Sequence, residues 1–199
     1  MDLNKKAFIL FGSSGDLGSA AVNYFLRQEY DYFYFLARND LNIPGMKSNC
    51  KLIRTGELTL EDNVINAFSE ITKNNNIKYY LLNTIGGYSG GKNISETDYT
   101  DVKSMININL YTSFLIAKHF SLLVRGSGGG SICFISSLSS LKPETGKAAY
   151  NISKSALNTL VESLSLEGKE YGLSANAIAP YAIDTESNRK WMPDNSKLV

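Results

Sequence analysis

Short apolar runs alternate with helix-patterned segments along all 199 residues of the chain. AFILF (7–11), YFYFLA (32–37), CKLIRT (50–55), YYLLN (79–83), SICFIS (131–136) and LSANAIA (173–179) have the length and the aromatic and branched content of strands. Between them, SAAVNYFLRQ reads as a helix, and Val64, Ala67, Phe68 and Ile71 recur at i, i+3, i+4 and i+7. A long helical pattern runs from about Glu96 to Val124, and another opens in YNISK (150–154) and continues through SALNTLVESLSLEGKEY. Strands apolar along their whole length, each followed by a helix, predict a parallel sheet covered on both faces. Right-handed crossovers then make it doubly wound, with three layers in one domain over residues 1–199. GSGGG (126–130) is too short to divide it.

Composition narrows the function classes. The chain is 43% hydrophobic and 20% charged with a net charge of +1, which gives no general affinity for nucleic acid or an anionic membrane. The apolar run in MDLNKKAFILF is too short for a signal core or a membrane span. Cys50 and Cys133 lie in strand runs and are expected as buried, reduced thiols. The single His119 has no cysteine or acidic cluster beside it in sequence, so no metal is expected. The expected setting is the cytoplasm, and the expected partner a small molecule.

FILFGSSGDLGSAAV places Gly12, Gly15 and Gly18 between the first strand and the first helix. The first glycine permits a tight turn, the second lets the backbone approach a pyrophosphate, and the third lets helix and strand pack closely. Helix N-terminal amides then face the phosphates. The segment with Gly12, Ser13, Ser14, Gly15, Leu17 and Gly18 is therefore expected to hold a dinucleotide, an ordinary glycine-rich turn being the alternative. The second strand ends in Ala37 and Arg38, with no acid to bind the ribose hydroxyls of NAD. Arg38 offers a fork suited to the extra phosphate of NADP, so NADP(H) is favoured over NAD(H), with Asp40 close behind opposing it.

Tyr150 and Lys154 are one helical turn apart and belong on one face. Such a pair is most often a solvated face with one ring tucked inward. Here it stands in a series: the glycine loop, LLNTIGG, NINLYTSF, FISS, Tyr-x-x-x-Lys and NAIAPYAIDT. In that order and at those spacings the chain resembles the short-chain dehydrogenase/reductase family.

The resemblance implies a Rossmann-like α/β fold and oxidoreductase chemistry. It makes Tyr150 the general acid or base. A free tyrosine has a pKa of about 10, too high for easy work at neutral pH, and a nearby ammonium lowers it. Lys154 is expected to supply that charge and to bond the nicotinamide ribose. Ser137 is expected to steady the substrate oxygen, with Ser136 as the alternative. Asn109 matches an asparagine that holds a water in the proton relay; it also reads as a polar residue satisfying a helix irregularity. The same likeness puts Asn83 and Gly86 by the adenosine half, Glu57 by adenine, and Pro180, Ile183 and Thr185 by the nicotinamide.

Departures are equally legible. The glycine spacing is Gly-x-x-Gly-x-x-Gly, Tyr181 stands where a glycine is usual, and Thr84 stands where a second asparagine is usual. The family pattern continues through a further helix and strand, so the usual last strand is expected to be missing. GGYSGGKNIS and DTESNRKWMPD resemble the dihydropteridine reductases, although Ser137 and the missing acid at Ala37 depart from them. Tyr88, Trp191 and Met192 are candidates for a flat substrate wall, or for the surface aromatics of a lid. The reading is an NADP(H)-dependent reductase of a small carbonyl or pterin-like substrate, acting as a homodimer or homotetramer. Two rivals stay open: a non-catalytic dinucleotide-binding redox sensor, and a sugar-nucleotide epimerase or dehydratase.

Overall fold

The six apolar runs form the six strands of one parallel sheet. The structure, a computed structural model, describes residues 5–39, 43 and 45–191. The strands are β1 (Lys5–Phe11), β2 (Tyr32–Ala37), β3 (Cys50–Arg54), β4 (Ile77–Asn83), β5 (Gly130–Ile135) and β6 (Leu173–Ile178). Their spatial order is β3-β2-β1-β4-β5-β6, every neighbouring pair being parallel. The order reverses between β1 and β4, and the crevice beyond the strand C-termini at such a point is where ligands bind in open α/β sheets.

Helices form where apolar positions can face the sheet. α1 (Asp16–Phe25) buries Ala21 and Val22 against Phe8, Leu10, Phe33 and Phe35 on one face. Its first turn carries Asp16, favourable at the positive end of the helix dipole. On the opposite face α2 (Glu61–Ser69), α4 (Thr112–Val124) and α5 (Ala148–Gly168) cover Ile9, Phe11, Leu36, Leu81, Ile132 and Phe134. Glu61 joins α2 to α4 by accepting from Lys118 at 2.7 Å and meeting His119 Nε2 at 2.9 Å. α6 (Glu186–Trp191) follows β6. No helix among the described residues is long and apolar enough to cross a membrane.

Two expectations need correction. The pattern from Glu96 to Val124 is not one helix: a 3-10 turn (Ile94–Glu96), α3 (Tyr99–Ile106) and a π turn (Asn107–Tyr111) precede α4. Apolar periodicity runs through the π turn, which adds one residue without breaking the helix path. Second, among the described residues the cover is most complete over β1 and β2. β4 and β5 alternate buried and half-open residues, and on β6 only Leu173 and Ala175 are buried. Lys78, Tyr80, Leu82, Ser131, Cys133, Ile135 and Asn176 lie on the open side. The two cysteines are accordingly free and half-buried, not fully buried, and burial pushes both thiols up.

The turn after β1 is held in two ways. The amides of Gly12 and Ser13 both donate to Leu36 O at 3.0 Å, tying the turn to β2. Gly12 has φ +84°, and a Cβ there would lie 2.6 Å from Thr84 Oγ1. At Gly18 a Cβ would overlap the Gly12 carbonyl, whereas at Gly15 the nearest atom would be 3.5 Å away. Gly18→Ala is therefore expected to destabilise the fold by about 1–3 kcal/mol, the cost of overpacking. Gly15→Ala at the helix N-cap should cost under about 1 kcal/mol. Urea denaturation of both variants checks the contrast; equal midpoints would contradict it.

Candidate active site

The C-terminal ends of all six strands open onto two adjoining cavities of about 600 Å³ each, which share Thr84, Ile85 and Gly86 as a common lip. Gly12, Ser14 and Gly15 from the first turn line one of them, with Ala37 and Arg38 after β2 and Thr55, Glu57, Leu58 and Thr59 after β3. Its far wall is α3 and the π turn, through Thr100, Lys103, Ser104, Asn107 and Ile108. Glu57 accepts from Thr59 Oγ1 at 2.7 Å, which aims its carboxylate. Asp40 lies outside the described residues.

The second cavity is lined by Leu17, Tyr88, Ser137, Ser139, Glu144, Lys147, Tyr150 and Lys154, and by Pro180, Tyr181, Ile183 and Asn188 after β6. Tyr88 closes one side, its ring 5.0 Å from that of Tyr150 and inclined at 68°. Tyr88 of the proposed wall is thus on the cavity; Trp191 is placed only as the last residue of α6, and Met192 lies outside the described residues.

Asn109 stands behind this cavity, not on it. It is fully buried in the π turn, accepts from Gly87 N at 2.9 Å, and donates to Gly87 O and Ser153 Oγ, both at 3.0 Å. Ser153 in turn donates to Tyr150 O at 2.8 Å. The Asn109 amide thus fastens the loop after β4 to α5. Its Oδ1 and the Lys154 ammonium would both crowd a Cβ on Gly86 (3.0 and 3.1 Å), so a side chain there would have to push them aside.

The two serines after β5 separate cleanly. Ser136 donates to Asn158 Oδ1 at 2.5 Å and meets Ser140 Oγ at 3.3 Å, facing α5. Ser137 instead lines the cavity with Tyr150, lies 3.0 Å from Ser139 Oγ, and is among the groups that lower the phenol's pKa. Ser137 is thus the serine beside the tyrosine.

Lys154 is 4% exposed, and its Nζ donates to Ile135 O at 2.8 Å. Burial pulls its pKa down to about 8. The Tyr150 phenol is pushed above its ordinary value, because burial outweighs the lowering from the Ser137 hydroxyl and from the charge of Lys147; Tyr88 adds to the rise. One turn of helix sets the Lys154 ammonium 5.9 Å from the ring centroid and against a carbonyl, while Lys147 lowers the phenol's pKa from the same cavity.

Other expected contacts also fall behind the cavity walls. Ser13 is fully buried and gives its hydroxyl to Leu10 O and Leu36 O. Asn83 is buried, donating to Ser113 Oγ and accepting from Ile85 N. Gly18 serves the close packing of α1 on the turn. Thr185 Oγ1 accepts from Asn188 N at the start of α6. Each fixes the backbone that does line the site. Sequence reasoning missed the α3 wall, although Thr100, Lys103, Ser104 and Asn107 recur at i, i+3, i+4 and i+7 as a polar stripe. His119, paired with Glu61, lines neither cavity, and no His/Cys/Asp/Glu cluster among the described residues could hold a metal.

The residues present fit a dinucleotide. Two joined cavities run past the N-terminus of α1, and the turn that leads into it carries no side chain at Gly12 and Gly15. Arg38 and Lys103 supply positive charge at one end, and Tyr150, Ser137 and Lys154 supply proton donors at the other.

Comparison with known proteins agrees with this arrangement. The sequence pattern of the short chain dehydrogenase family matches residues 6–196. A dihydropteridine reductase of Dictyostelium discoideum is 27% identical over 195 residues, covering 95% of this chain and 79% of that protein. A short chain aldehyde dehydrogenase of Euphorbia lathyris is 25% identical over 197 residues, covering 92% and 65%. The crystal structure of a short chain dehydrogenase from Burkholderia cenocepacia, in complex with NADP, superposes with a TM-score of 0.83 at 19% identity, covering 97% of this chain and 79% of that one. The chain thus spans from just under two thirds to about four fifths of the length of these proteins. With a matching family pattern over nearly its whole length, the chain belongs to the short-chain dehydrogenase family of NAD(P)H-dependent oxidoreductases.

Proposed function

We propose that the protein is an NADP(H)-dependent reductase of a small carbonyl or pterin-like substrate, with Tyr150 as the general acid. The observation that carries this is that Tyr150, Ser137 and Lys154 line one cavity, joined to the one that the glycine turn opens. The dinucleotide, when bound, supplies hydride to the carbon of the reducible double bond. Tyr150 gives its proton to the oxygen or nitrogen that takes up the electron pair. Ser137 donates a hydrogen bond to that atom and holds it against the phenol. Lys154, Gly86, Pro180 and Ile183 lie where the nicotinamide end is held, while Gly12, Ser14, Gly15, Arg38 and Glu57 hold the adenosine end. Asn109 keeps the Gly87 loop and α5 in register, and Tyr88 and Tyr181 offer flat walls to a ring. The likeness to a dihydropteridine reductase supports a planar substrate. Exposed Tyr111 at the end of the π turn, Phe114 and Leu122 on α4, and Ile152 and Leu166 on α5 support a homodimer or homotetramer, and two free thiols accord with a reducing cytoplasm.

Replacing Tyr150 by Phe should leave NADPH binding nearly intact and lower single-turnover hydride transfer by roughly 10²–10⁴-fold. Ser137→Ala should lower the same step without weakening the cofactor. The measurement uses a substrate found by screening ketones and quinonoid pterin for loss of NADPH absorbance. Rates within a few-fold of wild type for Tyr150→Phe would remove it as the acid.

NADPH should bind more tightly than NADH by roughly 1–2 kcal/mol, the value of one charge-assisted contact with the extra phosphate. Arg38→Ala should remove most of the difference. Calorimetric titration of both cofactors checks it; equal affinities in the unmodified protein would contradict the choice.

A further inference from the structure

Lys147 was absent from every reading of the sequence. It is the N-cap residue of α5, three positions before Tyr150. Both line the same cavity. The ammonium donates to Glu144 Oε2 at 2.9 Å, and Glu144 lines the cavity too.

The segment that carries this pair is clamped on both sides. Gly91 N donates to Gly146 O at 2.7 Å, and Lys92 and Lys147 form a parallel β-bridge. Asn151 donates through its backbone to Lys147 O at 2.8 Å and through its side chain to Glu144 O at 3.1 Å. A surface lysine normally loses rotamer freedom to hold one position; here the backbone and a short ion pair have already fixed it. The titratable groups that share the cavity with Tyr150, among the described residues, are Lys147, Lys154, Glu144, Tyr88 and Tyr181. They come from α5, from the segment before it, and from the loops after β4 and β6. Of the two cations, Lys154 is committed to the Ile135 carbonyl beneath the ring.

We propose that Lys147, held by Glu144, is a positioning residue for the Tyr150 proton: a second cation of the site that governs how readily the phenol gives it up. The inference rests on Tyr150 as the acid but concerns only its ionisation. Lys147 favours the phenolate; Glu144 opposes it by pairing with Lys147 and by its own charge. The direction of the Tyr150 shift, with Lys147 among its lowering causes, is consistent with this. Lys147 also has a role that Lys154 lacks. Its ion pair holds its proton above the ordinary lysine range, whereas Lys154 loses its charge at about pH 8.

The pair predicts opposite signs for two substitutions, which a merely structural role does not. With 3,5-difluorotyrosine at position 150, ring ionisation moves toward neutral pH and one fluorine signal reports one residue. Titrating this full-length protein by ¹⁹F NMR, Lys147→Met should lower the phenol's acid dissociation constant by at least about twofold. Glu144→Gln should raise it, and Lys147→Arg should restore it to near the parent value. High salt should shrink the Lys147→Met effect, since the pair is partly exposed. Circular dichroism confirms that each variant is folded, and Lys147→Arg with Glu144→Gln decides the matter if Lys147→Met is not. An unmoved titration, or the same direction for Lys147→Met and Glu144→Gln, would overturn the proposal. The readout needs no substrate, so it stands apart from hydride transfer: loss of the acid role for Tyr150 would appear in turnover, not here.

Discussion

The bonds of one buried amide hold the active-site scaffold together. Asn109 accepts from and donates to the backbone of Gly87 and donates to Ser153, which reaches back to the carbonyl of Tyr150. The loop after β4, the π turn and the first turns of α5 are thereby tied together. A buried amide without these partners would cost on the order of 1–3 kcal/mol, so the arrangement is all-or-none. The π turn is what brings Asn109 inward: an unbroken α-helix from Tyr99 to Val124 would carry it to a different angle. Tyr88 follows Gly87 directly, so the same network sets the ring that packs edge-on against Tyr150.

Lys154 shows that the site is built against stability. Its pKa falls from 10.5 to about 8 because burial disfavours the charge. Between those values the unfolded chain binds more protons than the folded one, so this group makes folding more favourable as pH rises from about 8 to 10.5 and opposes folding below that. A methionine of similar length would avoid the cost. A buried ammonium held by one carbonyl in a cavity of hydroxyls is better understood as a proton-handling group than as a structural one.

Much of this was legible in sequence. All six strands and the order of helices follow from apolar runs and turn glycines, because parallel strands buried between helices leave that signature. Gly12, Gly15, Arg38, Ser137, Tyr150 and Lys154 line the cavities where the motif spacing placed them. What escaped has a common cause: sequence spacing gives a face but not a direction. Ser13, Asn83, Asn109 and Thr185 sit at motif positions, yet their side chains satisfy backbone groups behind the walls. Lys147 and Glu144 sit outside any motif and reach the cavity because a β-bridge to Lys92 folds their segment inward, a long-range contact no local pattern encodes. The open side of β4–β6 was hidden because Tyr80, Leu82, Cys133 and Ile135 are apolar whether covered or not.

The account stands on the two cavities being one cofactor site with Tyr150 at its reactive end. A crystal structure with NADPH bound tests this most directly. It should show the extra phosphate on Arg38, the pyrophosphate at the amides that open α1, and the nicotinamide ring between Ile183 and Lys154 with its reactive carbon facing the Tyr150 and Ser137 hydroxyls. A dinucleotide seated elsewhere, or a nicotinamide ring turned away from Tyr150, would contradict it.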